Sequence, residues 1–331
     1  MRRGFFSFFW WAGLAGLLAG CLSAAKQTDA PPKASRDLRL SYTFTVKIPS
    51  GSGKVDIWIP LPRSDGNQKL KSFKVASPLA YSLQRDPEYG NTILRFETTG
   101  DRVENLEVKL DVNVLRLAQT PDGKKASGQP SDSKRNLHRY LEPDRLVPID
   151  GRIAEEARRV VKTGMSSLEK ARAIYDYVVE TMAYDKSGAG WGRGDAVWAC
   201  DARTGNCTDF HSFFIGMARA SGIPARFVMG FPIPDDQREG EIPGYHCWAE
   251  FYVPEMGWVP VDASEAWKNP GKKEFFFGNL DPNRVAFTLG RDISVDPTVK
   301  PVNYLIYPHV VIDGREFSEV RTSVRFADKL N

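Results

Sequence analysis

Residues 205–231 read GNCTDFHSFFIGMARASGIPARFVMGF, and the rest of the chain is organised around the one cysteine that begins this stretch. Asn206 suits the cap position of a helix. Asp209, three residues on, can return the capping bond and puts a negative charge in the first turn. Phe210, Phe213, Phe214 and Met217 recur with helical period along one apolar stripe, so the helix is expected to start at Cys207. Ser221, Gly222 and Pro224 stop it, and Ala225 to Phe231 resume as a short apolar strand. A thiol at a helix start faces unpaired backbone N–H groups and the positive end of the dipole, both of which lower its pKa. That is half of a nucleophilic site.

The other half lies in residues 244–264, GYHCWAEFYVPEMGWVPVDAS. His246 sits on an aromatic-rich run and Asp262 ends the next one, with Pro254 to Gly257 as the turn between them. Cysteine, histidine and aspartate in this order can supply nucleophile, base and orienting carboxylate. His211, one turn beyond Cys207 on the helix, is a rival base by proximity. Register decides whether the set can assemble. In a tight regular hairpin pairing Val253 with Trp258, Asp262 would face Ala249, and His246 and Asp262 would project from opposite faces. A working triad therefore requires an irregularity between Pro254 and Asp262, for which Gly257 and Pro260 are the available places.

Gly205-Asn206-Cys207 before a helix, His246-Cys247-Trp248 on one strand and Trp258 to Asp262 on the next are together similar to the core motifs of the transglutaminase-like superfamily, relatives of papain-type thiol enzymes. The resemblance covers residues 140 to 290. It implies a core with helices packed on an antiparallel sheet, and covalent acyl transfer through a thioester. Cys207 would attack an amide or peptide carbonyl, His246 would protonate the leaving amine and then activate the acceptor, and Asp262 would hold the imidazole tautomer. The Cys207 backbone N–H is one natural oxyanion donor. The second donor is open, with Tyr184 and Trp191 as oxyanion or cleft candidates in the glycine-rich loop leading to Cys207. With water as acceptor the protein is a thiol peptidase or amidase, the leading reading, since many bacterial members look like hydrolases. With a lysine amine it is a crosslinking transglutaminase, and a non-catalytic envelope binding protein retaining the fold is the alternative of a different class.

Cys200, Cys207, His246 and Cys247 contain the ligand types of a zinc site. However, neighbouring residues on a strand point to opposite faces and no Cys-x-x-Cys pair is present, so no metal and no cofactor are expected. In an oxidising compartment Cys200 and Cys247 are a possible disulfide pair.

The chain has 331 residues, 42% of them hydrophobic and 26% charged. That is enough apolar material for two globular domains. The net charge of +4 carries no block of basic residues interleaved with aromatics, so nucleic acid is not implied as a partner. Residues 1–21 read as a lipoprotein signal peptide: Arg2 and Arg3, an apolar run from Phe5 to Leu18, and Leu18-Ala19-Gly20-Cys21, which resembles a lipobox with Cys21 lipidated. An ordinary signal peptide cut elsewhere, or an uncleaved anchor, is the alternative. The absence of aspartate after Cys21 suits the outer membrane facing the periplasm, with a peptide or protein substrate in the envelope.

Residues 22–36 read as a tether. Strict alternation then begins at Leu38 and recurs through Val55 to Leu61 and Leu106 to Val114, so residues 37–118 are expected to be an antiparallel β-sandwich. The polar stretch 119–140 reads as a linker, 141–290 as the catalytic core and 291–331 as a β extension covering the catalytic sheet. The whole is α+β.

Overall fold

The computed structural model describes residues 35–120 and 134–329. The leader with Cys21, nearly all of the tether and most of the linker lie outside the described residues. In chain order the first strands are β1 (Ser35–Lys47), β2 (Lys54–Pro60), β3 (Gln68–Ala76), β4 (Tyr81–Arg85), β5 (Thr92–Thr99) and β6 (Asn105–Leu117). Helices α1 (Lys134–Arg139), α2 (Gly151–Val160) and α3 (Ser167–Thr181) follow, then β7 (Ala183–Tyr184), α4 (Ala196–Ala202), β8 (Thr204–Gly205) and α5 (Cys207–Ala220). The remaining elements are β9 (Ala225–Pro232), β10 (Glu239–Ile242), β11 (His246–Val253), β12 (Gly257–Val261), α6 (Ala263–Lys268), β13 (Arg284–Leu289), β14 (His309–Ile312), β15 (Arg315–Phe317) and β16 (Val320–Asp328).

The alternation that predicts the N-terminal strands is seen directly in their burial. Leu38, Leu40, Tyr42, Phe44 and Val46 of β1, and Leu106, Val108, Leu110, Val112 and Val114 of β6, are all within 1% of complete burial. Polar neighbours face outward, as a strand with one core face requires. Two five-stranded sheets result, in the orders β10-β16-β1-β6-β3 and β15-β14-β2-β5-β4.

Both sheets recruit strands from the far end of the chain. β16 pairs antiparallel with β1 from Leu38↔Asp328 to Val46↔Val320, and β14 pairs with β2 through His309↔Trp58. The strands of the C-terminal extension therefore join these two sheets, contrary to their expected place over the catalytic sheet. The reason is edge protection: without β14 and β16, β2 and β1 would each present an open row of backbone donors and acceptors. Asp313 and Gly314, at φ 49° and 75°, form the tight turn between β14 and β15 that the Asp-Gly pair predicts.

The central sheet has the order β12-β11-β9-β13, and α5 packs on β11 and β9. Every α5 residue from Cys207 to Arg219 is buried, because the sheet covers one side of the helix and α2, α3 and α4 cover the other. The local signals read from the sequence appear as bonds. Asn206 and Asp209 form a capping box on α5, Ser166 and Glu169 form one on α3, and Asp150 occupies the cap position of α2 without a side-chain bond. Helix α1 falls at the end of the stretch read as a linker, and two more short helices go beyond the sequence signals, since α4 falls in the glycine-rich loop and α6 in the stretch after Asp262. Each is capped by an aspartate, Asp195 and Asp262 respectively, and such residues are equally common in turns.

Candidate active site

Cys207, His246 and Asp262 come together where α5 starts, β11 starts and β12 ends. The register that allows this is set by a single glycine. Met256 N–H bonds Val253 O at 3.0 Å, closing a turn, and Gly257 follows at φ 79°, a left-handed position that suits glycine. Val253 therefore pairs with Gly257 rather than with Trp258, and the ladder then runs without a break to Ala249↔Val261. This one-residue offset puts Asp262 opposite Trp248, on the same face as His246. The irregularity expected in the hairpin is thus confined to the turn, and Pro260 lies within a regular ladder. On the other side of β11, His246 pairs with Gly230 of β9. A Cβ on Gly230 would lie 2.1 Å from Val285 O, so the close approach of β9 and β13 depends on its absence.

Asp262 is fully buried and every lone pair has work. Its Oδ2 accepts from His246 Nε2 at 2.7 Å and from Arg284 Nη1 at 2.7 Å. Its Oδ1 accepts from Glu265 N at 3.0 Å and Ser264 Oγ at 3.1 Å, which caps α6. Burial alone would raise this carboxyl, but His246 and Arg284 outweigh it and hold Asp262 well below the ordinary range. With Nε2 engaged, the other ring nitrogen of His246 is left for its hydrogen bond with Cys207.

Cys207 and His246 polarise each other. Burial would lower the imidazole and raise the thiol. Against it, Asp262 and Cys207 lift His246 to about 10, while hydrogen bonds from Cys247 and His246, together with the charge of His246, bring Cys207 well below its usual value. Both shifts favour a thiolate beside an imidazolium over the neutral pair. The other two cysteines move the opposite way: burial is the leading cause for both, raising Cys200, and raising Cys247 well above an ordinary thiol with Cys207 adding to the effect.

The disulfide between Cys200 and Cys247 does not form; both are free thiols, as is Cys207. Cys200 lies on α4 beside Arg203, whereas the sulfur of Cys247 is 3.6 Å from His211 Nδ1 and donates toward Cys207. His211 is braced rather than free. Its Nδ1 bonds Cys207 O at 2.7 Å and its Nε2 accepts from Ala263 N–H at 3.1 Å, which leaves a neutral ring with the proton on Nδ1. Burial lowers its pKa in keeping with that state. No group of three or more His, Cys, Asp or Glu is placed to hold a metal ion among the described residues.

Tyr184 pairs in parallel with Gly205, two residues before Cys207. Burial, with a contribution from the Cys207 charge, raises its phenol to about 12. Trp191 is half-buried in the loop that follows. Asp209 ties that loop down, accepting from Gly192 N at 2.7 Å and Gly194 N at 3.0 Å in addition to its capping bond.

Several site residues escaped the sequence reading. Tyr245 accepts from Asn206 Nδ2 at 3.0 Å, its ring lies 5.8 Å from that of Tyr304, and Tyr304 donates to Gly192 O at 2.9 Å. The C-terminal extension, whose sequence carries no sign of chemistry, thus reaches the site. Arg284 had one available signal, being the one charge on a mostly apolar and wholly buried strand, which needs a partner.

Residues 154–263 match the sequence model of the transglutaminase-like superfamily. The chain carries a transglutaminase-like domain. The stretch matched runs from α2 through the cysteine helix to the first residue of α6. The chain is 27% identical over 343 aligned positions to an uncharacterised protein of Haemophilus influenzae, covering 90% of this chain and 92% of that one. A protein-glutamine gamma-glutamyltransferase of Pseudomonas aeruginosa is 34% identical over 67 residues, 19% of this chain and 10% of that protein. Among solved structures, one of a candidate cysteine protease from Cytophaga hutchinsonii superposes with a TM-score of 0.63 at 16% identity, covering 90% of this chain and 92% of that one. Its fold is shared over nearly the whole chain, N-terminal sheets included.

Proposed function

We propose that the protein is a cysteine acyl-transfer enzyme that cleaves amide or peptide bonds in the cell envelope, with water as the acceptor. The observation that carries this reading is the buried chain of hydrogen bonds from Arg284 through Asp262 and His246 to Cys207. It supplies a thiolate, a proton donor beside it, and a carboxylate that fixes the donor's orientation.

Cys207 attacks the carbonyl carbon. His246 gives its proton to the leaving amine as the C–N bond breaks, and a thioester remains on the sulfur. His246, now neutral, takes a proton from water as the hydroxide adds to the thioester, and Cys207 leaves as thiolate with His246 again protonated. Asp262 stays ionised throughout, since Arg284 and the α6 N–H group hold its charge. The Cys207 backbone N–H, unpaired as at any helix start, is the proposed oxyanion donor, with Tyr184 a second lining group.

Incubating the protein with cell-wall peptides and with envelope proteins, with and without a primary amine, and identifying products by mass spectrometry tests the acceptor. Products one water heavier in sum than the substrate are expected in both arms. Amine adducts as the main product would favour crosslinking, and no product in either arm would favour a binding protein that keeps the fold.

The envelope address rests on the N-terminal sequence, with lipid attached at Cys21. Cys21→Ser is expected to shift the protein from the detergent phase to the aqueous phase; unchanged partitioning would mean that something else anchors it.

A further inference from the structure

Two lysines gather on the ring of Tyr184, close to Cys207. Tyr184, held beside Gly205 by the β7–β8 pairing, makes tilted ring contacts with Phe210 at 6.1 Å and Trp267 at 6.5 Å, ring centre to ring centre. The ammonium of Lys268 lies 4.0 Å from the Tyr184 ring centre, and that of Lys186 lies 5.8 Å from the same centre. One phenol ring can offset part of one cation. Two ammonium groups gathered on it repel each other.

Two carboxylates stand nearby, and only one of them pairs with a lysine. Glu265 pairs with Lys268 at 2.8 Å. Asp185 is turned to Ser187, accepting from its N–H at 2.8 Å and its hydroxyl at 2.6 Å. Lys186 makes no salt bridge among the described residues. Lys268 and Trp267 stand on α6, the helix that Asp262 caps, so the element that fixes the triad carboxylate also carries these two side chains.

We propose that Tyr184, Lys186 and Lys268 form a subsite for a carboxylate of the substrate, so that the bond attacked by Cys207 belongs to an acidic peptide. This rests on Cys207 being the nucleophile. The half-exposed Trp267 ring supplies flat apolar surface beside the two ammonium groups, which suits the aliphatic stem of a glutamate-like side chain. The same charges oppose the approach of a protonated amine, which leaves water as the favoured acceptor.

Alkylation of Cys207 by iodoacetate, which carries a carboxylate, and by iodoacetamide, its neutral isostere, measures this field at the sulfur itself, whatever the substrate. The site of labelling is read by peptide mass spectrometry on the intact chain. The ratio of the iodoacetate rate to the iodoacetamide rate is expected to fall about tenfold in Lys186→Met/Lys268→Met, the worth of one charge-assisted hydrogen bond. Lys186→Arg/Lys268→Arg, which keeps both charges, is expected to hold the ratio near that of the natural protein. An unchanged ratio in the methionine variant overturns the subsite while leaving Cys207 an activated thiol. Iodoacetamide labelling of Cys207 no faster than of Cys200 and Cys247 would instead overturn the nucleophile reading, and the subsite with it.

Discussion

Cys207→Ala is expected to abolish turnover, with a loss of about 10⁴-fold or more in kcat, because a site acting through a covalent intermediate has no substitute for its nucleophile. Thermal stability should change by no more than about 1–2 kcal/mol, since one sulfur is removed and His246 keeps Asp262 as its counter-charge. Turnover of envelope peptides and stability by calorimetry are independent readouts, and retained turnover would remove the covalent mechanism. The pH profile adds a sign. Cys207 is ionised above its depressed pKa and His246 protonated below about 10. Activity should therefore fall on the acid side as the thiolate is protonated, and on the alkaline side as His246 loses the proton it must donate. Iodoacetamide labelling should fall only on the acid side, at a pH well below the range near 8.5 where an ordinary thiol titrates.

Asp262→Ala should have the largest effect on the fold of any single change at the site. The carboxylate is the counter-ion of a buried arginine, the partner of a buried imidazolium and the cap of α6. Removing one partner of a buried pair costs about 3–5 kcal/mol because the other charge is left without compensation, and the lost cap adds about 1 kcal/mol. Urea unfolding is expected to show this as a shifted midpoint with an unchanged slope. Loss of activity would follow at once, as His246 loses both its raised pKa and its orientation. A stability change below about 1 kcal/mol would mean that Arg284 finds another acceptor, and that Asp262 does not hold the network together.

Much of this was legible because its causes are local. The cap and apolar stripe of α5 depend on residues within one helix, and the alternation of β1 and β6 depends on neighbours two apart. What could not be read was long-range. The sequence suggests that His246 and Asp262 need a corrected register, and points to Gly257, but whether the correction is a bulge within the ladder or an offset at the turn depends on how β11 is held by β9 on its other edge. Arg284 reaches Asp262 across 22 residues of chain, and Cys247, offered as a disulfide partner, donates instead to the Cys207 sulfur. The destination of β14 and β16 lies in which open edge they close, and no pattern within those strands records it.

The pairing of β1 with β16 has a consequence in time as well as in space. Leu38 meets Asp328 on one edge of β1 and Val114 on the other, so β6 can pair with β1 early, whereas the β16 edge must wait during synthesis until residue 328 has emerged. Contacts that span so much sequence make for slow folding, because the loop must close before the contact repays it. While that edge waits, its backbone donors and acceptors stay unpaired, and this interval is when the chain is most prone to stick to its neighbours.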